Sequence, residues 1–393
     1  MSDQFELNAD LNFVEGVLYH GGGDLKKCYQ CSTCTVVCPL TPDELPYPRK
    51  EMLEAQWGLR DRLVKNMDLW LCHNCNDCTD QCPRGAKPGD VMSVLRARTI
   101  EHFSNMQSVA KAANSWSGNL KLYLFPVVLL ALLIYMLNSA NGFAFLDAKP
   151  IVYANMFPVT AIDTVFLLAA AFALYNIIVS LRQFISGLQE HYPPHKGGES
   201  LQQAIVGTLK DILTHVDLKK CGPNQSRKLS HMMMMYGFIG LFITTNLVLV
   251  IHYLHEFGVD IQDTPFPFFH PVKLLGNISA LTAFVGVFLI VRDRMRETNS
   301  VLTLFDWIFI VNMLLTVFSG IMSQILRVAD LAGAAFFTYY LHLIFVFYLL
   351  AYAPQTKFGH IFYRPVALIY ARFSGRTREL GWDEKTKTEE MAA

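Results

Sequence analysis

Residues 28–39 read CYQCSTCTVVCP, and residues 72–83 repeat the same spacing as CHNCNDCTDQCP. Each motif has the form C-x2-C-x2-C-x3-C-P, which is typical of chains that hold two [4Fe–4S] clusters. Three thiolates on one tight loop can bind three corners of a cube, while the fourth, before the proline, points toward the other cube. We therefore predict one cluster on Cys28, Cys31, Cys34 and Cys82, and a second on Cys72, Cys75, Cys78 and Cys38.

Zinc is the alternative metal for these thiols. It also accepts four thiolates, but its sites usually combine two C-x2-C knuckles rather than a cysteine triple followed by C-P. The N-terminal residues are polar and lack a basic stretch followed by an apolar one, so we expect no cleavable signal peptide. Thiols in the cytoplasm are kept reduced, which disfavours a disulfide scaffold. The motifs therefore indicate iron–sulfur clusters.

The composition indicates a membrane protein. The chain has 393 residues, of which 52% are hydrophobic and 17% charged, and its formal net charge is zero. Its mean hydropathy is +0.28. Such a chain is too apolar for one water-soluble domain. A zero net charge gives no reason to expect a nucleic-acid partner.

The region around the motifs is predicted to be helical. Residues 49–66 (RKEMLEAQWGLRDRLVKN) have the apolar spacing of a helix. Residues 89–103 (GDVMSVLRARTIEHF) form a second predicted helix, with Gly89 or Asp90 as its N-cap. The cluster domain is therefore expected to be an α-helical ferredoxin domain rather than the short β-hairpin type.

Six apolar runs follow, each close to the ~20 residues that a helix needs to cross a membrane. They cover residues 122–137, 158–181, 233–253, 271–291, 304–326 and 332–353. A buried soluble helix explains one such run, but not six in series. The fold class is therefore all-α, with two clusters in the first domain and a six-span bundle after it. We assign residues 1–112 to the cluster domain, 113–370 to the transmembrane domain and 371–393 to a cytoplasmic tail.

The basic residues indicate the orientation of the bundle. The segment 182–230, the loop after the fourth run and the tail are rich in Lys and Arg. The opposite loops contain little beyond Lys149, Lys273 and Arg327. We therefore expect a multi-pass protein of the cytoplasmic membrane, surrounded by lipid, whose cluster domain and C-terminus face the cytoplasm.

Histidines in and beside the apolar runs are candidate haem ligands, since a bundle that carries a cluster domain is expected to carry electrons as well. His231 opens the third run and His360 follows the sixth, so both lie at the cytoplasmic level of antiparallel helices. His252 and His255 lie at the outer end of the third run, and His342 lies within the sixth. An interfacial side chain or a quinone contact is the alternative for any one of them.

Two stretches resemble membrane proteins that hold b haems. HLIFVFYLLAYAPQTKFGH (342–360) resembles the last span of the gamma subunit of respiratory nitrate reductases, with His342, Pro354 and His360 at the spacing of that family. HMMMMYGFIGLFITT (231–245) resembles the ligand-bearing helix of the membrane E-subunit of heterodisulfide reductases. These families use bis-histidine b haems, so the resemblance implies haem b, in two copies.

The resemblance also implies the haem ligands. His231 and His360 would hold the haem on the cytoplasmic side, and His342 would belong to the outer haem. Ten residues after His231, where the nitrate reductase pattern has its remaining histidine, this chain has Leu241. The candidates for that missing ligand are His252, which we choose, His255, and His215 in the polar segment before the third run.

The cysteine motifs within residues 15–105 resemble the iron–sulfur C-subunit of heterodisulfide reductases. Their fusion to a bundle like the E-subunit resembles, over residues 15–370, the C-subunit family of the quinone-interacting membrane-bound oxidoreductase complexes of sulfate reducers. That resemblance implies reaction with menaquinol, two soluble flavin and iron–sulfur subunits as partners, and adenylylsulfate reductase as the final acceptor.

Two other functions remain open at this point. The chain can be the membrane subunit of a heterodisulfide reductase or of a complex linked to sulfite reduction. It can also be a transporter whose clusters sense redox state, although no paired inverted repeats or broken helices are apparent in the sequence.

Lys273 is our candidate for the quinone site. It begins the fourth run at the outer interface, and the nitrate reductase gamma family has a lysine at the start of the matching helix, near its quinol. The alternative is an interfacial lysine whose ammonium group reaches back to water. Asp163 and Asn277 are weaker candidates for a hydrogen bond to the quinone.

Overall fold

The computed structural model describes residues 8–42, 46–192, 198–215, 225–296 and 303–376. Within these ranges the chain forms α-helices and short 3-10 turns, and no strand. This confirms the all-α fold class. Most of the predicted tail (371–393) lies outside the described residues.

Short helices surround the two cysteine motifs in the cluster domain. They are α1 (Leu11–Tyr19), α2 (Thr33–Val36), α3 (Arg49–Gln56), α4 (Arg60–Val64), α5 (Asp68–Leu71), α6 (Asp77–Asp80), α7 (Pro88–Phe103) and α8 (Gln107–Ala113). Their shared core contains fully buried apolar side chains such as Val17, Met52, Leu63, Trp70 and Met92. Helices this short are not stable alone, so packing on that core stabilises them.

The prediction of one continuous helix over residues 49–66 is wrong. It is divided into α3 and α4 around Gly58, whose φ of +68° favours glycine. A Cβ at Gly58 would also lie 2.8 Å from the Asp10 carbonyl oxygen. The chain therefore turns here, and α4 packs against α7.

The predicted N-cap of α7 is also wrong. The helix begins at Pro88, and its N-cap is Lys87 in the left-handed region rather than Gly89 or Asp90. Proline is favoured at the first helical position because its missing N–H would have no partner there. Gly89 instead allows a close approach, since a Cβ there would lie 2.6 Å from Asn76 Oδ1.

The second part of the chain is a bundle of long helices with shorter connecting ones. They are α9 (Trp116–Asn138), α10 (Tyr153–Met156), α11 (Val159–His191), α12 (Leu201–Thr214), α13 (Gln225–Glu256), α14 (Pro271–Arg296), α15 (Leu304–Val328), α16 (Ala332–Ala351) and α17 (His360–Phe373). Six of them, α9, α11, α13, α14, α15 and α16, are long and apolar enough to cross a membrane, which confirms the predicted number of spans.

Small residues and buried hydrogen bonds hold the bundle together, as is usual where lipid removes the hydrophobic driving force. A Cβ at Gly237 of α13 would lie 2.5 Å from the amide nitrogen of Ala283 in α14. The Tyr123 hydroxyl of α9 donates to Asn312 Oδ1 of α15 over 2.8 Å. In the bundle, α13 packs against α14, and α15 packs against α16.

The cluster domain is fixed on the end of the bundle at which α17 lies. Trp70 of α5 stacks on Tyr363 of α17, with ring centroids 5.4 Å apart, and Phe184 of α11 packs edge-on against both rings. Asp68 accepts hydrogen bonds from Arg376, which follows α17. The helix before the second motif is thereby tied to the segment that begins at His360.

Glu51 is fully buried beside this ion pair. Its Oε1 accepts from the Asn66 amide over 2.8 Å and lies 3.3 Å from Lys50 Nζ. Within the described part of the chain, Oε2 has no hydrogen-bond partner. Burial, and next the Asp68 carboxylate, raise the pKa of Glu51 from 4.5 to about 8. Lys50 and Arg376 are the cations facing this pair of carboxyl groups.

We expect Glu51→Gln to flatten the pH dependence of stability. The folded-state pKa lies above the unfolded value, so folding takes up a proton, and the stabilisation present below the unfolded pKa is lost as the pH rises toward about 8. The loss is at most about 1.4 kcal/mol per pH unit. The measurement is the apparent unfolding temperature across that window. Glu15→Gln, an exposed glutamate on α1, should follow the parent chain, and an equal flattening there would contradict this assignment.

Candidate functional site

The two cysteine motifs fold alike. Gln30 and Ser32 have φ of 66° and 71°, and their counterparts Asn74 and Asn76 have φ of 54° and 74°. These paired left-handed residues turn each loop sharply, so that consecutive cysteines face a common side. Asn adopts this conformation more readily than most residues. The short helices α2 and α6 then carry the third cysteine of each motif, Cys34 or Cys78, into the buried interior.

One cavity contains the four thiols predicted for the first cluster. Its lining includes Cys28, Cys31, Cys34 and, from the other motif, Cys82. Polar hydrogen atoms point at the sulfur atoms, since the Gln30 amide donates to Cys28 Sγ over 3.3 Å and the Ala86 N–H donates to Cys82 Sγ over 3.3 Å. Such donors are a regular feature of iron–sulfur sites.

The thiols predicted for the second cluster are neighbours as well. Cys38 interacts electrostatically with Cys72 and Cys75, and Cys78 interacts with all three. Burial raises the pKa of Cys38 to about 12 and that of Cys34 to about 11. Metal ligation deprotonates thiols of this kind. The residues therefore fit a cluster, and the ligand sets stay predictions.

His231 and His360 lie at the same end of the bundle. His231 Nδ1 is 2.7 Å from Nε2 of His215, the C-cap residue of α12, and His231 also interacts electrostatically with His360. His360 Nδ1 donates to the Lys357 carbonyl oxygen over 2.6 Å. Burial lowers the pKa of His360 to about 4, so its ring is neutral at pH 7, as ligation requires. In both rings the contact uses Nδ1 and leaves Nε2 for a metal.

His342 lies in the middle of α16, against α15. Its Nδ1 donates to the Thr316 carbonyl oxygen over 3.0 Å, and Ser319 Oγ lies 3.2 Å away. A Cβ at Gly320 would approach His342 Cε1 to 3.0 Å, so glycine makes room for the ring. Contacts of this kind orient a histidine and set its tautomer.

His252 and Lys273 have contacts of their own, which do not involve His342. His252 Nδ1 lies 2.9 Å from Asp263 Oδ2 in the loop after α13, and His255 Nδ1 donates to the Ile261 carbonyl oxygen. Lys273 begins α14, and its electrostatic neighbour is Arg327. Among the described residues, no hydrogen bond or ion pair joins Lys273 to either histidine. The outer haem and the quinone site therefore stay predictions.

Arg96 ties the second cysteine motif to α7, and Arg227 ties it to the bundle. Neither was a candidate from the sequence. Arg96 of α7 donates to the Cys72 carbonyl oxygen over 2.8 Å and to Asn74 Oδ1 over 3.0 Å, and its charge also acts on His360. Arg227, one helical turn before His231, donates to the Asn74 carbonyl oxygen over 3.0 Å. An arginine flanked by apolar residues on a packed helix is the signal that marks Arg96 in the sequence.

Comparison with known proteins supports both the iron–sulfur domain and the membrane bundle. Residues 24–86 match the 4Fe-4S dicluster domain. The N-terminal part is similar to the C-subunit of the H(2):CoB-CoM heterodisulfide,ferredoxin reductase of Methanothermobacter marburgensis, 37% identical over 90 residues, which are 23% of this chain and 48% of the relative. It is also similar to a heterodisulfide reductase C-subunit-like protein of Archaeoglobus profundus, 30% identical over 105 residues, or 26% and 56% of the two chains.

The bundle has a different relative. It is similar to the E-subunit of the dihydromethanophenazine:CoB--CoM heterodisulfide reductase of Methanosarcina acetivorans, 24% identical over 187 residues, which are 44% of this chain and 68% of the relative. No solved structure matches the chain. The chain spans about half the length of the curated C-subunit relatives that it matches. It thus joins an iron–sulfur part like the C-subunit to a membrane part like the E-subunit, and its relatives are redox subunits of oxidoreductase complexes.

Proposed function

We propose that the chain is the membrane-anchoring, quinone-reactive subunit of an electron-transfer complex. It passes electrons between menaquinol and soluble flavin and iron–sulfur subunits, by way of b haems and two [4Fe–4S] clusters. The observation that carries this proposal is that the second cysteine motif contacts both helices that bear His231 and His360. Arg227 of the His231 helix donates to the Asn74 carbonyl oxygen, and Trp70, just before the motif, stacks on Tyr363 of the His360 helix. A cluster in the second motif and a haem on His231 and His360 would therefore be neighbours.

We assign His231 and His360 to a haem on the side of the cluster domain, and His342 with His252 to a second haem. Bound haem supplies a one-electron carrier whose potential follows from its axial ligands. Each of the four rings binds a neighbour through Nδ1 and keeps Nε2 free for the iron. Side chains of α13 such as Phe242 and Val250 are more than half exposed in the protein, so this helix has a face that can contact lipid or a prosthetic group.

The quinone site is proposed beside Lys273, at the end of the bundle opposite the cluster domain. An ammonium group at the start of a spanning helix can donate to a quinone oxygen and favour its anionic form. Arg327 adds a second positive charge near the same place. Oxidation of menaquinol there releases two protons on that side, and its two electrons move singly toward the clusters.

Lys273→Ala should slow reduction of haem by a menaquinol analogue by about ten-fold or more, because a hydrogen bond from a charged group contributes roughly 1.5–3 kcal/mol. The measurement is stopped-flow absorbance of the reconstituted chain, with haem content determined on the same sample. Lys149→Ala is the matched control, since Lys149 pairs with Asp330 at the same end of the bundle. Normal rates in Lys273→Ala would move the quinone site elsewhere, with the region of His215 as the next candidate.

The position of that site determines whether turnover conserves energy. We place the cluster domain and C-terminus in the cytoplasm and the Lys273 end outside. Electrons then cross the membrane inward while protons leave outside, and moving one charge against 100 mV involves about 2.3 kcal/mol. Quinol oxidation at the outer end would therefore build a membrane potential, whereas a site beside His215 would make the transfer electroneutral.

The final acceptor that we propose is adenylylsulfate reductase, as in dissimilatory sulfate reduction. The alternative is a heterodisulfide, which the names of the relatives favour, or a complex linked to sulfite reduction. The complex purified with its soluble subunits should oxidise a menaquinol analogue when adenylylsulfate and its reductase are added. Oxidation with the CoB–CoM heterodisulfide instead would assign the chain to the alternative.

A further inference from the structure

The two cluster sites have different surroundings. The second-motif loop contacts the bundle, because the Asn74 carbonyl oxygen accepts a hydrogen bond from Arg227 of α13. In the first motif Cys31 is exposed, and its neighbour Tyr29 is 58% exposed. A cluster held by the first motif therefore has an edge at the protein surface.

The surface around that edge is apolar and positively charged. Val36, at the end of α2, is 83% exposed. Arg84 lies over the Tyr29 ring, 5.8 Å from its centroid, and Arg49 lines the same cavity as the four thiols. Among the described residues, neither arginine forms an ion pair with a carboxylate. We call Tyr29, Cys31, Val36, Arg49 and Arg84 the exit face.

We propose that the exit face is the docking surface for the soluble electron-transfer partner, and that this partner presents an acidic surface around its own redox group. Electrons then run from the haem side to the second-motif cluster, to the first-motif cluster and out. In the last step the first-motif cluster loses one electron and the partner's flavin or iron–sulfur group gains it. This inference rests on the proposed function, since it gives the partner of that function a place to bind.

Charge complementarity identifies the kind of partner that binds the exit face. Exposed guanidinium groups without internal carboxylates attract an acidic partner and raise the rate of encounter. The exposed valine and tyrosine supply the apolar centre that such an interface needs. Electron transfer complexes of this kind use small, weak interfaces, so a patch of a few side chains around a cluster edge is sufficient.

The test measures the oxidation of pre-reduced protein. The full chain with both clusters is reduced with dithionite, which bypasses the quinone and the haems, and is mixed with flavodoxin, an acidic soluble flavoprotein, as the acceptor. We expect Arg84→Glu and Arg49→Glu each to lower the second-order rate by about ten-fold at low salt, and added salt to remove the difference. Lys111→Glu, the same charge change on α8 in a different cleft of this domain, should leave the rate unchanged.

A second acceptor separates docking from a change in the cluster. Hexaammineruthenium(III) is a cation, so it should oxidise Arg84→Glu at least as fast as the parent chain. Equal slowing with both acceptors would mean that the arginines act on the cluster potential, and would overturn the proposal. Unchanged flavodoxin rates in both variants, with intact cluster EPR signals, would overturn it as well. If quinol fails to reduce the haem while the flavodoxin rates behave as expected, the proposed quinol reaction fails and the docking surface stands.

Discussion

His360→Ala and His231→Ala should each remove the same b haem and leave the other in place. The two rings are the proposed axial ligands of one iron, and a low-spin bis-histidine haem is lost or converted when either ligand is missing. The measurement is the reduced-minus-oxidised visible spectrum of each variant, together with the haem content per chain. About half of the haem should be absent from both variants, and the remaining spectrum should be the same in the two.

One outcome would directly contradict the pairing of His231 and His360 on one iron. If the two variants lose different haems, His231 and His360 do not share an iron, and the 2.7 Å contact of His231 with His215 becomes the pair to test. His252→Ala and His342→Ala should remove the second haem together. An unchanged spectrum in His252→Ala would give its role to His255 or His215. His102→Ala, in the cluster domain, should affect neither haem.

Cys38→Ser and Cys82→Ser should each damage the cluster of the opposite motif. Cys38 lies among the thiols of the second motif, and Cys82 lines the cavity of the first. Serine is a poorer ligand for iron than a thiolate, so about half of the roughly eight cluster irons should be lost or bound in an altered cluster in each variant. The measurement is iron and acid-labile sulfide per chain, with EPR of the cluster that remains.

The EPR signals distinguish the two ligand sets. Cys38→Ser should change the signal that Cys75→Ser changes, and Cys82→Ser the signal that Cys31→Ser changes. If each fourth cysteine follows its own motif instead, the crossed assignment is wrong. Cys221→Ser, a cysteine outside both motifs, is the matched control and should retain both clusters. Zinc without acid-labile sulfide in the parent chain would contradict the clusters altogether.

The cysteine motifs and the spans were predictable because each depends on local spacing. A C-x2-C-x2-C loop turns within a few residues, and a spanning helix requires only an apolar run of sufficient length. Even so, α11 continues to His191, well past the predicted end of its apolar run at residue 181, because a helix does not have to end where the hydrocarbon does. One predicted helix is interrupted at Gly58, because Asp10, a residue distant in the sequence, closely approaches the chain there.

Contacts between residues far apart in the sequence could not be predicted, because they leave no such local pattern. The contact of His215 with His231 depends on how α12 packs beside α13, and the binding of Arg96 to the Cys72 carbonyl depends on how α7 lies over the second motif. Arg227 reaches Asn74 across 153 residues of sequence. These contacts place the second motif against the bundle, so the order of the clusters in the proposed electron path rests on them and not on the motifs.

The most direct test of the account is a visible spectrum of the purified full chain, recorded before and after anaerobic addition of a menaquinol analogue. The account predicts the absorption bands of low-spin b haem, reduced by the quinol, in a protein that also contains iron and acid-labile sulfide. A chain that holds both clusters but shows no haem bands, with quinol or with dithionite, would contradict it.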